Sequence, residues 1–373
     1  MKTPLVNTCR QIVSGVVLFF LIIPSFALFS QGYTVEGKVT DLESGLPVPM
    51  ATVYVNGTTR GTITGPDGDF SLEHVILPCE LILSHVSYEL INVPLRDTSH
   101  LKDLDFKMEP RVIRLQEATI IRPNLREEYL RHFRFLFLGQ DYEKSGARIL
   151  NDSVLIIRMR ENEQFSVEAN GPIMIYLPET GYMLTMDLVR FDLDYSEELE
   201  GYHCSILGYY YFEPMETGSR KERRLLARRR AETYYNSSMH FCRSLYHNQL
   251  MENGYLFKRA CDPELEEGIN PAEVPDFIAT YGPDDFGNQR LLLTRFACSD
   301  FNILFYYNSR NRPVDLTYLQ SYRAKRSGLS FLKDSVYIYP SGRIPENSIL
   351  FSGYIGKKGV ASMLPRDYIP SMQ

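Results

Sequence analysis

The strongest concentration of charged side chains lies in residues 220–230, where seven residues are basic and one is acidic. The basic residues are Arg220, Lys221, Arg223, Arg224, Arg228, Arg229 and Arg230. Leu225 and Leu226 stand among them, which predicts an amphipathic helix. Such a helix could bind an anion, whether a lipid headgroup, an acidic glycan or a phosphate. The alternative is a solvated helix face whose charge is balanced by the acidic stretches 192–200 and 262–267.

Histidine and cysteine occur close together at two places, and both can be compared with metal sites. His240 and Cys242 precede His247, and His203 is followed by Cys204. A structural zinc site needs four ligands brought together in space, and these spacings match no common zinc motif. His240 and His247 are seven residues apart, so on a helix they would share a face. We expect these histidines to be structural. If residues 239–250 form a helix, we expect Cys242 to point from it into the core of the protein.

The motifs of hydrolytic enzymes are absent or incomplete. No Gly-x-Ser-x-Gly elbow occurs, and the Ser-x-x-Lys match at Ser330 and Lys333 is not followed by Lys-Thr-Gly. None of the seven histidines is followed three residues later by the Glu that a zinc carboxypeptidase needs. Asp192 and Asp194 could share one face of a strand, but a glycosidase needs two carboxylates across a cleft. We therefore expect no catalytic or metal-ligating residue and no cofactor. The alternative is an envelope hydrolase with its site in residues 125–373.

The N-terminus has the pattern of a secretory signal peptide over residues 1–30. Lys2 and Arg10 precede an apolar run at residues 12–23, and small residues follow at Ala27 and Ser30. Cleavage after Ala27 or after Ser30 fits this pattern, and an uncleaved anchor is the alternative. We therefore expect an exported protein, either periplasmic or associated with the outer membrane. The net charge of −6 argues against a nucleic-acid partner, because phosphate binding needs a basic excess.

The cysteine content is compatible with export. One of the six cysteines, Cys9, would leave with the signal peptide. The other five are Cys79, Cys204, Cys242, Cys261 and Cys298. Because five is an odd number, at least one thiol stays free or pairs between chains, and the sequence leaves the pairing open. Cys79 stands among apolar residues, so we expect it to be a small buried thiol.

Residues 33–109 alternate between apolar and polar side chains, with turn residues between the runs. Short alternating strands with a turn about every 8–12 residues predict an antiparallel β-sandwich. Glycine allows a positive φ at a turn, and proline fixes φ before a strand. We expect six residues to shape the turns of this sandwich: Gly37, Gly45, Pro47, Gly57, Gly61 and Gly68.

The spacing of these residues resembles the carboxypeptidase-regulatory-like domain, which is common in envelope proteins of Bacteroidetes-type bacteria. Residues 37–47 match G-x-V-x-D-x3-G-x-P, residues 51–64 match A-x-V-x-V-x-G-T-x2-G-T-x-T, and residues 68–70 match G-x-F. The resemblance implies a seven-stranded Greek-key sandwich of the transthyretin type. The motif specifies turns and implies no chemistry.

A second resemblance follows this domain. Residues 115–121 are similar to the linker that leads into the plug and barrel of TonB-dependent outer-membrane receptors. The rest of the chain lacks the long series of alternating strands, each roughly 10 residues long, that such a barrel needs. We therefore expect the accessory domain without the transporter.

Residues 125–373 are expected to form a larger α+β domain after a linker at 111–124. Leu125, Tyr129, Phe133 and Leu136 predict one face of a helix that stops at Gly139. Strands are predicted at residues 154–159, 165–169, 173–177, 183–193, 203–212, 291–296, 303–307, 335–339 and 349–354. This pattern predicts a mostly antiparallel sheet or open barrel with one or two helices. Parts of it resemble a companion region in uncharacterised Bacteroidetes proteins, which implies no activity.

These features predict a mainly β protein with a sandwich at residues 31–110. The leading hypothesis for its function is a non-catalytic accessory module of the cell envelope that binds protein or glycan. A sheet edge of the sandwich could accept a strand from a partner. The aromatic run from Tyr209 to Phe212 could form a binding platform, although the absence of Trp favours packing within the sheet. Besides a hydrolase, the alternative is an accessory factor for TonB-dependent uptake, with an outer-membrane receptor as partner.

Overall fold

A computed structural model describes residues 32–99, 101–111, 123–159, 164–196, 201–260, 278–284, 289–294, 300–316, 323–345 and 347–370. The predicted signal peptide and most of the predicted linker lie outside these ranges, as do Cys261 and Cys298. No helix within the described ranges is long and apolar enough to cross a membrane.

Seven strands form the predicted sandwich. They are β1 (Tyr33–Asp41), β2 (Thr52–Val55), β3 (Gly61–Ile63), β4 (Asp69–Val75), β5 (Cys79–Ser84), β6 (Ile91–Leu95) and β7 (Leu104–Met108). One sheet has the strand order β4-β1-β7, and the other has the order β3-β2-β5-β6. The strand number and the mainly β class are therefore as predicted.

Alternation along the strands places one face of each sheet in a shared apolar core. In β4, Phe70 and Leu72 are buried while Ser71 between them is exposed, and Val35 and Leu81 belong to the same core. One pairing differs from the predicted antiparallel sandwich. The strands β1 and β4 are antiparallel, but β1 and β7 run parallel. The alternation could not indicate this, because it is the same for either strand direction.

Three of the predicted turn residues have left-handed backbone conformations. The φ angle is 68° at Gly45, 78° at Gly57 and 78° at Gly68. Pro47 pairs with Thr40 in an isolated bridge beside the Gly45 turn. Because L-residues rarely adopt these φ values, the chain needs glycine at these three positions.

Gly37 and Gly61 are not turn residues, which corrects the prediction for them. Gly37 lies inside β1, and Gly61 begins β3. They are needed for close packing instead. A Cβ on Gly37 would lie 2.6 Å from the carbonyl oxygen of Leu104, and a Cβ on Gly61 would lie 3.0 Å from the ring of Tyr211.

The second region begins with helix α1 (Pro123–Leu138) and the short helix α2 (Tyr142–Ser145), followed by an antiparallel six-stranded sheet. The strands are β8 (Arg148–Ile149), β9 (Leu155–Met159), β10 (Phe165–Ala169), β11 (Ile173–Leu177), β12 (Tyr182–Ser196) and β13 (Gly201–Pro214). The long strand β12 pairs with β13 on one side and with both β11 and β10 on the other. Phe133 and Phe137 of α1 are fully buried in the core of this sheet.

Two smaller antiparallel sheets complete the described part of the fold. The first contains β14 (Tyr255–Arg259), β17 (Asp300–Tyr307), β18 (Arg323–Phe331) and β20 (Ile349–Ser352), and the second contains β15 (Ile278–Pro283), β16 (Gln289–Thr294) and β19 (Ser335–Ile338). The remaining helices are α3 (Arg220–Tyr234), α4 (Ser238–Tyr246) and α5 (Gly353–Gly356), with 3-10 turns at Asp152–Val154 and Val360–Ser362. The α+β, mostly antiparallel architecture is thus as predicted.

The helices of the second region are more numerous than the one or two predicted. Within the described residues, α1, α3 and α4 have 16, 15 and 9 residues. The predicted helix α1 begins at Pro123 and ends before Gly139, whose φ is 101°. The amphipathic helix predicted at residues 220–230 is α3, and the helix considered at residues 239–250 is α4, which ends at Tyr246.

Candidate functional site

Helix α3 presents the basic residues of segment 220–230, and its start is fixed by local chemistry. Ser219 accepts a hydrogen bond from the backbone N–H of Glu222 at 3.1 Å, and Glu222 accepts one from the backbone N–H of Ser219 at 3.1 Å. This reciprocal capping box satisfies two N–H groups that a helix start leaves unpaired. It also assigns the one acid of the segment to the cap.

One face of α3 packs against the six-stranded sheet. Ala231 and Tyr234 are buried, and Leu226 is half-buried against Gly181. The guanidinium of Arg230 donates to the carbonyl of Thr180 at 2.7 Å and lies 4.1 Å from the ring centre of Tyr182. Arg230 is therefore used in packing, and Arg229 is half-buried.

The opposite face of α3 is exposed and cationic; we call it the basic face. It consists of Arg220, Lys221, Arg224, Leu225 and Arg228. Arg220, Arg224 and Arg228 follow each other at intervals of four, so they form one row along the helix. Leu225 stands beside this row and is 45% exposed.

Few acids neutralise the basic face. Arg228 pairs with Glu232 at 2.8 Å, and Arg223 donates to the carbonyl of Thr217 at 3.5 Å. Among the described residues, Arg220, Lys221 and Arg224 have no ion pair. The acid Asp192, from one of the predicted balancing stretches, pairs with Arg190 instead. Residues 197–200 and 262–267 lie outside the described part of the chain.

The charge pattern of the basic face works against the helix that carries it. Like charges four residues apart destabilise a helix by about 0.2–0.5 kcal/mol per pair. Cations in the first turns also oppose the helix dipole, whose N-terminal end is positive. An anion bound across the row would relieve both effects, and arginine suits this because its guanidinium can bind carboxylate or phosphate in a bidentate manner.

The histidine and cysteine residues do not converge on one site. His240 is buried in α4, where its Nδ1 lies 2.9 Å from the hydroxyl of Tyr255, whereas His247 is exposed at the end of the helix. Burial lowers the pKa of His240 to about 3, so its imidazole is neutral at pH 7. Cys242 is fully buried, and burial raises its pKa to about 12. Within the described residues, no cluster of three or more His, Cys, Asp or Glu side chains could hold a metal ion.

The remaining sequence candidates have structural partners. Ser330 of the Ser-x-x-Lys match donates to Asp300 at 2.6 Å, and Lys333 lies in the turn after β18. Cys79 and Cys204 are free, half-buried thiols, so Cys79 is less buried than expected. Burial raises the pKa of Cys79 to about 12, which disfavours the reactive thiolate.

The sequence did not indicate the joint between the sandwich and the six-stranded sheet. Asp187 of β12 is buried there and accepts hydrogen bonds from the hydroxyls of Tyr54 and Ser84, each at 2.5 Å. The ring of Tyr54 stacks on Tyr211 with 4.9 Å between ring centres. Burial raises the pKa of Asp187, although both hydrogen bonds favour the ionised form.

A second set of contacts holds the turn between β2 and β3. The N–H of Gly57 donates to the carbonyl of Tyr210 at 2.6 Å, and its carbonyl accepts from the N–H of Arg366 at 2.7 Å. Beside this turn, Glu80 of the sandwich pairs with Arg343 at 2.8 Å. The sandwich is therefore fixed to the second region, and Tyr33–Gln373 forms one compact unit.

The aromatic run from Tyr209 to Phe212 belongs to this joint and to the core. Tyr211 is 6% exposed against Tyr54, and Phe212 is fully buried in the core of the six-stranded sheet. Two of its four rings therefore pack inside the protein, while Tyr209 and Tyr210 are half-buried.

Comparisons with known proteins identify the sandwich. A family model described as the CarboxypepD_reg-like domain matches residues 35–120. The TonB-dependent receptor P39 of Formosa agariphila is 29% identical over 108 residues, which cover 28% of this chain and 10% of the receptor. The chain thus spans about a tenth of the receptor that it matches.

Two solved structures align with large parts of the chain. A 9R-lipoxygenase from Cyanothece aligns over 59% of this chain and 50% of its own, at 11% identity and a TM-score of 0.19. A membrane-associated protein of unknown function from Bacteroides fragilis aligns over 84% of this chain and 98% of its own, at 9% identity and a TM-score of 0.17. Neither score is high enough to support an argument about fold or function. The family match covers residues 35–120, which contain nearly all of the seven-stranded sandwich, and this sandwich is a CarboxypepD_reg-like domain.

Proposed function

We propose that the protein is a non-catalytic module of the bacterial cell envelope that binds an acidic partner protein through the basic face of α3. The single observation that supports this most is the row of Arg220, Arg224 and Arg228, of which two have no ion pair within the described residues. The CarboxypepD_reg-like domain and the match to an outer-membrane receptor support the envelope as the compartment.

The chemistry of the basic face favours a protein over a membrane surface. Leu225 is the one exposed apolar residue on this face, and a single Leu buries too little apolar area to anchor a helix in lipid. Arginine and a central apolar side chain are instead typical of protein interfaces. The arginines would pair with carboxylates of the partner.

The test is a pull-down of the tagged protein from cells after treatment with a carbodiimide, which joins carboxylates directly to lysine. We expect one envelope protein to be captured and cross-linked at Lys221. The variant in which Arg220, Arg224 and Arg228 are all changed to Glu should lose this protein. A matched variant with Lys102, Lys107 and Arg310 changed to Glu reverses three exposed charges elsewhere and should retain it.

Three results would contradict the proposal. They are equal capture by both variants, capture of a polysaccharide in place of a protein, and capture of no envelope component. The last result would direct attention to the hydrolase alternative, which a substrate screen on the purified protein would address.

A second candidate function is an accessory role in TonB-dependent uptake. The similarity to the TonB-dependent receptor of Formosa agariphila, 29% identity over 108 residues, favours it. The same experiment separates the two candidates. Capture of a TonB-dependent receptor would identify the partner as an uptake protein, and capture of another envelope protein would not.

A further inference from the structure

A cavity of about 320 Å³ lies in the second region and involves no residue of α3. Its walls come from β13, the start of α4, the turn after β19 and the segment from Ile355 to Arg366. Its volume is at the lower end of the range for small-molecule sites, which is about 300–1,000 Å³. The proposed function makes no use of it.

The lining of this cavity is divided between apolar side chains and cations. Its apolar residues include Ile206, Ile344 and Leu364. Among the described residues that line it, the charged ones are Arg343, Lys358 and Arg366, and none is Asp or Glu. The three cations in the described lining favour an anionic ligand.

The two arginines are partly satisfied by the sandwich. Arg343 pairs with Glu80 at 2.8 Å and lies 4.2 Å from the ring centre of Tyr339. Arg366 donates to the carbonyl of Asn56 at 3.4 Å, and it helps to lower the pKa of Glu80. Glu80 therefore forms an ion pair with Arg343, while Arg366 and Lys358 have no ion pair among the described residues.

Lys358 is held in place by its backbone and has little for its ammonium group to bind. The backbone of Lys358 pairs with that of Gly139 in an isolated β-bridge. The two segments are close together, since a Cβ on Gly139 would lie 2.4 Å from the backbone nitrogen of Gly359. The ammonium donates to the carbonyl of Thr233 at 3.3 Å and lies 5.2 Å from the ring centre of Tyr354. It has no ion pair among the described residues, and its hydrogen bond to Thr233 uses one of its three N–H groups.

The electrostatics of Lys358 agree with this geometry. Burial, with a smaller contribution from Lys325, lowers its pKa to about 8, and Glu179 opposes this shift. A partly buried ammonium with this pKa is still mostly charged at pH 7, and it has no ion pair among the described residues. An anion in the cavity would supply the counterion.

We propose that this cavity binds a small organic anion, with its acidic group at Lys358 and a short apolar body against Ile206, Ile344 and Leu364. The acidic group is a carboxylate or a phosphate, because both accept hydrogen bonds from lysine and arginine. The apolar body fits the walls, which a simple inorganic ion would leave empty.

The test is calorimetric titration of the purified protein with octanoate, octyl phosphate and octyltrimethylammonium. We expect one of the two anions to bind and the cation with the same tail not to bind. Acetate and inorganic phosphate, which lack the tail, should bind at least tenfold more weakly. The preference between octanoate and octyl phosphate tells which acidic group the cavity takes.

Variants and labelling locate the binding. Lys358→Met should weaken the binding of the preferred anion on the order of tenfold, the loss of one charge-assisted hydrogen bond. The α3 variant with three reversed arginines should bind it normally. Since Lys358→Met could affect folding, acetylation of lysines in the unaltered protein provides a second measurement. The anion should slow acetylation of Lys358 and leave that of the exposed Lys107 unchanged.

Two outcomes overturn the inference. One is that the cation binds as strongly as the anions, or that neither octanoate nor octyl phosphate binds. The other is equal protection of Lys107 and Lys358, which would place the anion elsewhere. Both outcomes are independent of whether α3 binds a partner protein.

Discussion

At the scale of single residues, Asp187 shows how a buried carboxylate can join two parts of a chain. Its two acceptor oxygens take hydrogen bonds from Tyr54 and Ser84, so both hydroxyls of the sandwich are satisfied by one side chain of β12. A buried donor without a partner costs about 1–3 kcal/mol. The three side chains are therefore mutually dependent.

Changing Tyr54 to Phe should lower the free energy of unfolding by about 2 kcal/mol, because Asp187 loses one of its two hydrogen bonds in a buried place. Urea denaturation would measure this loss. Tyr33→Phe is the control, since Tyr33 is 42% exposed and its variant should be close to neutral. A Tyr54→Phe protein as stable as the control would show that the hydroxyl does not donate to Asp187.

The raised pKa of Asp187 predicts a pH dependence. A carboxyl that binds its proton more tightly in the folded state than in the unfolded state makes the folded state gain protons. Its contribution to the free energy of unfolding therefore falls as the pH rises from about 3.8, the unfolded value, through the raised pKa. We expect the stability of Asp187→Asn, relative to the unaltered protein, to rise across that window. Thermal melts from pH 4 to pH 7 would measure it, and a constant difference would contradict the raised pKa.

Local chemistry made some residues predictable and left others hidden. Gly45, Gly57 and Gly68 were predictable, because a turn that needs a positive φ favours glycine and is therefore visible in the local sequence. Asp187 was not, since its partners are 133 and 103 residues away along the chain. A lone Asp inside a strand pattern has no local feature that indicates such partners.

At the scale of elements, glycines with the same φ sign differ in what surrounds them. A Cβ on Gly68 would lie 2.4 Å from the carbonyl oxygen of Val39, whereas a Cβ on Gly45 would meet nothing within 4 Å. Replacing either glycine with a residue that has a Cβ would strain the backbone at its positive φ. Of these two positions, only at Gly68 would the added Cβ also clash with the neighbouring strand β1.

Gly68→Ala should therefore cost more stability than Gly45→Ala. A non-glycine residue at positive φ costs about 1–3 kcal/mol, and Gly68→Ala adds displacement of β1 to that cost. Differential scanning calorimetry on the two variants would measure this order. Equal losses would show that β1 and the turn can separate without cost.

Several elements with one buried face agree with the prediction, although β14 and β18, which also have one buried face, were not predicted. The predicted strands 165–169 and 173–177 agree with β10 and β11, and the helix stop at Gly139 is where α1 ends. The parallel pairing of β1 with β7 was missed, because it is set by the topology of the whole sandwich. The cluster of basic residues on α3 was evident from the sequence. Which of them pair with acids, such as Arg228 with Glu232, could be learned only from the structure.

At the scale of the whole molecule, the sequence pattern suggested separate domains joined by a linker, and the contacts connect them. The family match ends at residue 120, yet the sandwich donates hydrogen bonds to β12 and β13 and an ion-pair partner to Arg343. The sandwich is therefore fixed to its neighbour. This arrangement leaves the basic face of α3, which belongs to the second region, as an exposed surface on a rigid support.

Rigid attachment predicts that the sandwich and the six-stranded sheet unfold together. Native-state hydrogen exchange followed by mass spectrometry should give the same free energy of opening for peptides from β5 and β11, because both amide sets exchange only through global unfolding. Gly68→Ala, which acts inside the sandwich, should raise exchange equally in both peptides, while Gly45→Ala should raise both by a smaller amount. If Gly68→Ala raised exchange in β5 and left β11 unchanged, the buried contacts of Tyr54, Ser84 and Asp187 would be too weak to couple the two regions. The sandwich would then be an independently folding module, and the cavity beside Arg366 would have to keep its shape without the support of Gly57.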